Sequence, residues 1–375
     1  MIYTISIDWL SLYCRFMPTV EDASESVPVE WQPKETEGGD AFGKYPWRYK
    51  KADYGTRQFS SLHFVSMPNA EGGWDEFAEV QSAPYSGILS KNSIIVRFVN
   101  RALYMPDFWE LADRFLSDNS FIPQGITRID ICADFNDFAC MSPLALIEGF
   151  AAKKYRHIGR GVGALYFNHG VVKKEYGVLY NGLSFGTHSS DARVYLYNKS
   201  FELLTQGDKP WIKDRWKHVG LDILSVWRLE VSLKSKACTF KDKASGNTIT
   251  FDKEGAADDD ILGKIYHTFI KKLFSFVPNR KGITNITHEW QKNGLKLFDA
   301  APSYDRGCIR NITPGNRMEK ILIKALYQMG DQFRGGEIVD AQLRAQEFAF
   351  EIANACDLNL WLSNKIEEWE KPIHK

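Results

Sequence analysis

The sequence predicts an α+β protein with a central, mostly antiparallel sheet, flanking helices and a helical C-terminal region. Two observations predict it. Short segments alternating apolar and polar residues recur from about residue 57 to residue 234, interrupted by a few stretches of helical spacing, and beyond about residue 256 the apolar spacing turns wholly helical.

Taken in order, Met1 runs straight into the strand-like YTISIDWLSLY. Residues 18–48 are rich in Pro, Gly, Glu and Ser and lack apolar periodicity, which predicts a long exposed loop or insertion without chemistry. FSSLHFVSM and NSIIVRFVN read as strands, and DFWELADRFL (107–116) as a helix. TRIDICADF (127–135) is the next strand. SPLALIEGFAAKKY (142–155) follows as a helix with Ser142 and Pro143 as N-cap and first-turn pair. Strands then recur at 163–168, 175–186, 192–199 and 225–234; a helix near Phe201–Leu204 and a Trp- and Lys-rich connection separate the last two. DDDILGKIYHTFIKKLFSF, MEKILIKALYQM, IVDAQLRAQEFAFEIANA and LNLWLSNKIEEWEK are the helical segments of the C-terminal part. These patterns divide the chain into residues 1–255, a sheet-bearing body, and residues 256–375, a helical region.

At 375 residues and 44% hydrophobic content, the chain can bury a sizeable core. No two of the six cysteines have C-x-x-C spacing, so they read as reduced thiols. No signal peptide opens the chain and no apolar run reaches the roughly 20 residues of a membrane span, so the expectation is a cytoplasmic protein with no membrane partner.

Net charge is zero, yet the charges are segregated. Residues 151–236 carry fifteen Lys and Arg against seven acids, a balance of +8. Residues 17–40 hold seven acids against Lys34 alone, and residues 337–375 eight acids against four bases. The basic middle is the place to expect a polyanion, since phosphate neutralisation supplies most non-specific nucleic-acid affinity. Its Lys209–Lys217 connection interleaves Trp211 and Trp216 with Lys213, Arg215 and Lys217, which suits base stacking with phosphate contact; plugging of the core beside the sheet is an equal reading of the tryptophans.

Three strands carry the chemistry. With a side-chain period of two, Arg128, Asp130, Cys132 and Asp134 share a face, as do Arg193, Tyr195, Tyr197 and Lys199, and again Arg228, Glu230, Ser232 and Lys234. Each opposite face is apolar. One such strand is ordinary half-exposed sheet, but three within about 110 residues, with polar faces of Arg, Asp, Glu, Tyr and Lys, would together gather carboxylates, guanidinium groups and a phenol on one platform. Carboxylate oxygens suit Mg²⁺ or Mn²⁺, and neighbouring cations favour the tyrosinate form that a phenol nucleophile needs.

TRIDICADF, RVYLYNKSFE and WRLEVSLK resemble, in order, the R-x-D-x-x-x-D, R-x-x-x-Y-x-K-x-x-E and R-x-E-x-x-L-K motifs of the Rep_trans family, the replication initiation factors of rolling-circle plasmids and filamentous phages together with related conjugative-element relaxases. SIDWLSL also resembles the start of that family, and the resemblance covers roughly residues 1–235. It implies a rolling-circle initiator fold and a site-specific nick in one DNA strand through a 5′-phosphotyrosine intermediate, later rejoined. It further implies Tyr197 as nucleophile, followed by Lys199 and Glu202, with Asp130, Glu230 and Asp134 as candidate ligands of Mg²⁺ or Mn²⁺ and Arg128, Arg193 and Arg228 near phosphate; Arg193 stands on the face of Tyr197 as part of the catalytic set, and Lys234 is a further expected DNA contact. Tyr195, on the same face, is the alternative nucleophile. No two histidines form an H-x-H pair, so a metal would be held by carboxylates. The partners implied are a replication or transfer origin, single-stranded or cruciform, with a homodimer and a host helicase as further candidates. A conjugative relaxase with the same chemistry, a metal-dependent nuclease without a covalent step and a non-catalytic origin-binding protein stay open beside the initiator.

Overall fold

A computed structural model describes residues 1–17, 30–33, 47–69, 71–85, 89–158, 163–166, 173–174, 177–178, 182–187, 189–242, 248–280, 286–299 and 309–311. The architecture is α+β as expected, built on a ten-stranded sheet whose paired strands all run antiparallel. Across the sheet the order is Arg48–Lys51, Phe59–Pro68, Trp74–Pro84, Ser93–Phe98, Tyr3–Phe16, Phe121–Phe135, Trp227–Lys234, Ala192–Asn198, Gly182–Phe185 and Gly163–Tyr166. The first strand and Phe121–Phe135 form the centre, and the three motif strands lie side by side, with Trp227–Lys234 between the other two.

Alternation decides the two faces. Ile129, Ile131, Ala133, Leu229, Val231, Leu233, Val194 and Leu196 are all buried on one face. They belong to a core completed by side chains of the helices Phe108–Asp118, Pro143–Ala151 and Asp259–Leu273. Pro143–Ala151 starts as expected, Ser142 Oγ accepting from the Ala145 amide. Asp259–Leu273 does not begin a separate region: Tyr266 is fully buried and donates its hydroxyl to the Leu229 carbonyl at 2.9 Å, and one compact unit spans Met1–Ile312. An apolar stripe on this helix is best buried against the nearest apolar sheet face. The three later segments expected to be helical lie outside the described residues.

The opposite, polar face carries a smaller cover. Lys199–Gln206 and Pro210–Val219 are helices that enclose Leu203, Ile212, Trp216, Leu221 and Val226. The second forms the Trp- and Lys-rich connection: Pro210 suits its first turn, and Gly220 ends it in the left-handed conformation at φ 80°. Most of residues 18–48 lie outside the described residues, but Trp31 and Trp47 are buried, which corrects the reading of that segment as wholly exposed. Among the described residues no helix is long and apolar enough to cross a membrane.

Candidate active site

Cross-strand register turns the three alternating patterns into one lattice. Arg228 lies opposite Asp134 and Tyr197, Glu230 opposite Cys132 and Tyr195, Ser232 opposite Asp130 and Arg193, and Lys234 opposite Arg128. On the other side of Phe121–Phe135, the first strand sets Thr4, Ser6, Trp9 and Ser11 against Asp134, Cys132, Asp130 and Arg128. The register slips between Ile7 and Trp9. A bulge there lets the extra residue, Asp8, reach the polar face beside Trp9.

At one end this face is sealed. Arg228, wholly buried, donates from Nε and Nη2 to the two oxygens of Asp134 at 2.7 and 2.8 Å, from Nη1 to Asp8 and from Nη2 to the Tyr104 hydroxyl at 3.1 Å. The indole of Trp216 completes the cluster by donating to Asp134 Oδ2 at 2.7 Å. Burial alone would raise the Asp8 carboxyl, but Arg228, Lys199 and Lys209 outweigh it and hold it well below the usual carboxylate range. Three expected roles are corrected by this cluster. Arg228 has no solvent-facing surface to offer a phosphate, Trp216 is core and not a stacking platform, and both oxygens of Asp134 are taken, so it is a structural anion and not a metal ligand.

The rest of the Pro210–Val219 helix is divided. Arg215 is spent on the first strand, donating to Thr4 Oγ1 at 3.0 Å and to the Ile5 carbonyl at 2.8 Å. Trp211, half-buried, donates to Asn100 Oδ1 at 2.9 Å. Lys213 and Lys217 stay at the surface, paired with Asp208 at 2.6 Å and Asp214 at 3.0 Å.

Tyr197 sits where the cover begins. It is 7% exposed, and its hydroxyl donates to Glu230 Oε2 at 3.0 Å. The ammonium of Lys199, the first residue of the helix that follows, lies 5.5 Å from the ring centroid and 2.8 Å from Glu202 Oε2. Burial first, and the Glu230 charge second, push the Tyr197 phenol well above its ordinary pKa. Burial, with Asp130 and Asp8 nearby, pushes the Glu230 carboxyl up to about 8. A phenol this reluctant to ionise must hand its proton to an acceptor as it reacts, and a carboxylate of raised basicity in hydrogen-bond contact is such an acceptor. Tyr195, half-buried, stands one same-face step away and holds the Arg193 guanidinium carbon 4.6 Å from its ring centroid. Burial raises its phenol pKa too, against the opposing pull of Arg193.

The other end is open. Arg128 has 43% of its side chain exposed and grips Asp130 through Nε at 3.0 Å and Nη2 at 2.6 Å. Arg193 and Lys234 are half-exposed. Asp130 is 4% exposed, and its carboxyl pKa is raised by burial, with Asp8 adding to the shift. Among the described residues no three His, Cys, Asp or Glu side chains converge tightly enough to form a metal site on their own. Asp130 and Glu230 are two neighbouring hard-oxygen donors at the edge of the open face, but both Asp130 oxygens are held by Arg128, so Mg²⁺ or Mn²⁺ shared with a substrate phosphate and water would have to displace that half-exposed guanidinium.

Sequence reasoning missed Asp8, Trp9 and Tyr104. The first two left a trace. Thr4, Ser6 and Asp8 are polar at even positions, after which Leu10 and Leu12 are apolar at even positions, and such a parity flip within one strand is the mark of a bulge. Tyr104 comes from a short 3-10 turn, Ala102–Tyr104, and has no local pattern to announce it.

No family model and no curated protein matches the chain. Among solved structures it is similar to the one titled "Structure of Rolling Circle Replication Initiator Protein from Geobacillus stearothermophilus", at 14% identity and a TM-score of 0.42, over 76% of this chain and 90% of that one.

Proposed function

We propose that the protein is a site-specific DNA strand-nicking and joining enzyme of the rolling-circle initiator type, with Tyr197 as the nucleophile. The observation that carries this reading is the Tyr197 hydroxyl held on Glu230 at the boundary between a sealed, charged cluster and an open face bearing Arg128, Arg193 and Lys234. The order of the three strand motifs, which resemble those of the Rep_trans family, supports it independently.

In the proposed reaction the Tyr197 oxygen attacks a backbone phosphorus and its proton passes to Glu230. The P–O3′ bond breaks, the departing oxygen takes up a proton as a 3′-OH, and the 5′ phosphate stays esterified to the tyrosine. Attack of a 3′-OH on that ester, with the proton moving in reverse, rejoins the strand. Arg128, Arg193 and Lys234 hold the phosphate chain, and Lys199 keeps positive charge beside the tyrosine ring as the phenol proton leaves. Mg²⁺ or Mn²⁺ held at Asp130 would neutralise charge on the scissile phosphate, while Glu230 stays available as the proton acceptor.

The test is covalent capture. Incubated with single-stranded DNA from its own replicon, the wild type becomes attached to the new 5′ end created by the cut; Tyr197→Phe does not, while binding DNA as before. A second reading rests on Tyr195, which is more exposed and lies directly opposite Glu230. Loss of the adduct in Tyr195→Phe but not Tyr197→Phe selects it, and an adduct formed by both variants removes the tyrosine mechanism.

A further inference from the structure

We propose that the open polar face is a binding track for single-stranded DNA that extends beyond the motif strands to Arg97, on the fifth strand counted from and including the tyrosine strand. The inference deepens the function proposed above and rests on it for the identity of the polymer.

Arg97 lies opposite Ser11, which lies opposite Arg128, which lies opposite Lys234, so four residues of four consecutive strands form one straight row across the sheet. Arg193 continues it on the next strand, one same-face step towards Tyr195. Trp9 is the spacer. The guanidinium carbons of Arg97 and Arg128 each lie 4.5 Å from its ring centroid, so one indole holds two cations that strands alone would leave as independent, mobile side chains. Glu79 fixes Arg97 from the outer side and Asp130 fixes Arg128. Both arginines still present surface to solvent, at 30% and 43% of their side chains. Three cations therefore stand on the row and Arg193 one step from it, on a face whose neighbouring acids include Glu79, Asp130 and Glu230.

Strands about 4.8 Å apart put Arg97 about 19 Å from the tyrosine strand, a span that several nucleotides of a single strand would cover. A file of cations across the sheet suits a polyphosphate chain. The polar surroundings and the occupied Trp9 ring favour contacts to phosphate over base stacking, so the track holds DNA without regard to sequence.

Binding of oligo(dT) of about 16 nucleotides by full-length protein, measured by fluorescence anisotropy over a salt series, tests this without requiring cleavage. Arg97→Gln should weaken binding on the order of tenfold and reduce the slope of log affinity against log salt by about 0.7, the value for one phosphate contact to a single strand. Arg97→Gln combined with Arg193→Gln should reduce it by about 1.4, and Arg97→Lys should keep most of the affinity. Lys264→Gln removes a charge from the helix on the opposite face and should leave binding unchanged. The double variant E79Q/R97Q, which leaves no half-buried carboxylate without its partner, should repeat the R97Q loss if folding is intact. Arg97→Gln binding with the affinity and salt slope of Lys264→Gln overturns the track. The two proposals separate cleanly: a covalent adduct with normal R97Q binding removes the track alone, and a salt-sensitive R97Q defect without any adduct removes the nicking reading alone.

Discussion

The hydroxyl of Tyr197 donates to the carboxylate of Glu230 on the neighbouring strand at 3.0 Å, at the edge of a helical cover that leaves the tyrosine 7% exposed. Glu230→Gln keeps an oxygen to accept that hydrogen bond and takes away the base. Single-turnover nicking should fall by about 10²–10⁴-fold, with oligonucleotide affinity and melting temperature close to wild type. A rate within a few-fold of wild type would assign the proton to another acceptor.

Tyr197→Phe and Tyr195→Phe should each change stability by only about 1 kcal/mol, because each keeps its ring and loses one hydroxyl. Chemical denaturation measures this, and it is what makes a lost covalent adduct in either variant interpretable as lost chemistry.

Arg228 and Asp134 are both fully buried and joined by two hydrogen bonds, with Asp8, Tyr104 and Trp216 around them. Arg228→Met should destabilise the fold by about 3–5 kcal/mol, since Asp134 would remain as an uncompensated buried charge. Arg228→Lys should recover little, having no planar fork. Thermal unfolding reads the loss; a stable Arg228→Met protein with weakened DNA binding would return Arg228 to the DNA-contact set.

Chelation by EDTA should stop nicking and Mn²⁺ should restore it, with Asp130→Asn raising the Mn²⁺ concentration needed. Asp134→Asn should instead lower the melting temperature and leave the metal titration of the surviving folded protein unchanged, because its oxygens already belong to Arg228 and Trp216. A shifted Mn²⁺ titration for Asp134→Asn would restore it to the ligand set.

His267 is 4% exposed, with Nε2 3.2 Å from the Tyr3 hydroxyl, and burial lowers its pKa to about 4. A histidine depressed in the folded state binds its proton more readily when unfolded, at a pKa of about 6.5. Its contribution is therefore fully present above pH 6.5 and is lost as pH falls from there to about 4, by roughly 3 kcal/mol. Glu230, whose carboxyl is pushed up to about 8, adds stability as pH falls through the same window, so the measurement is a difference: in urea unfolding the wild type should lose that stability relative to His267→Phe between about pH 6.5 and 4.

Much of the site was legible in the sequence, and the limit of that legibility has a physical cause. A period of two assigns Arg128, Asp130 and Asp134, or Arg228 and Glu230, to one face of a strand, because a pleated backbone leaves no other choice. That local rule also marks the bulge that delivers Asp8. It does not say which strands are neighbours, and only the pairing of Trp227–Lys234 between the other two put Glu230 within reach of Tyr197. Nor does it say which part of a polar face is covered. Arg128 and Arg228 open equivalent motifs, yet the Pro210–Val219 helix packs Trp216 against Asp134 beside Arg228, while Arg128 is left half-exposed against Trp9. The sequence by itself determined the faces, through the geometry of a single strand; the tertiary structure decided neighbours and burial, because both depend on contacts between segments far apart in the chain.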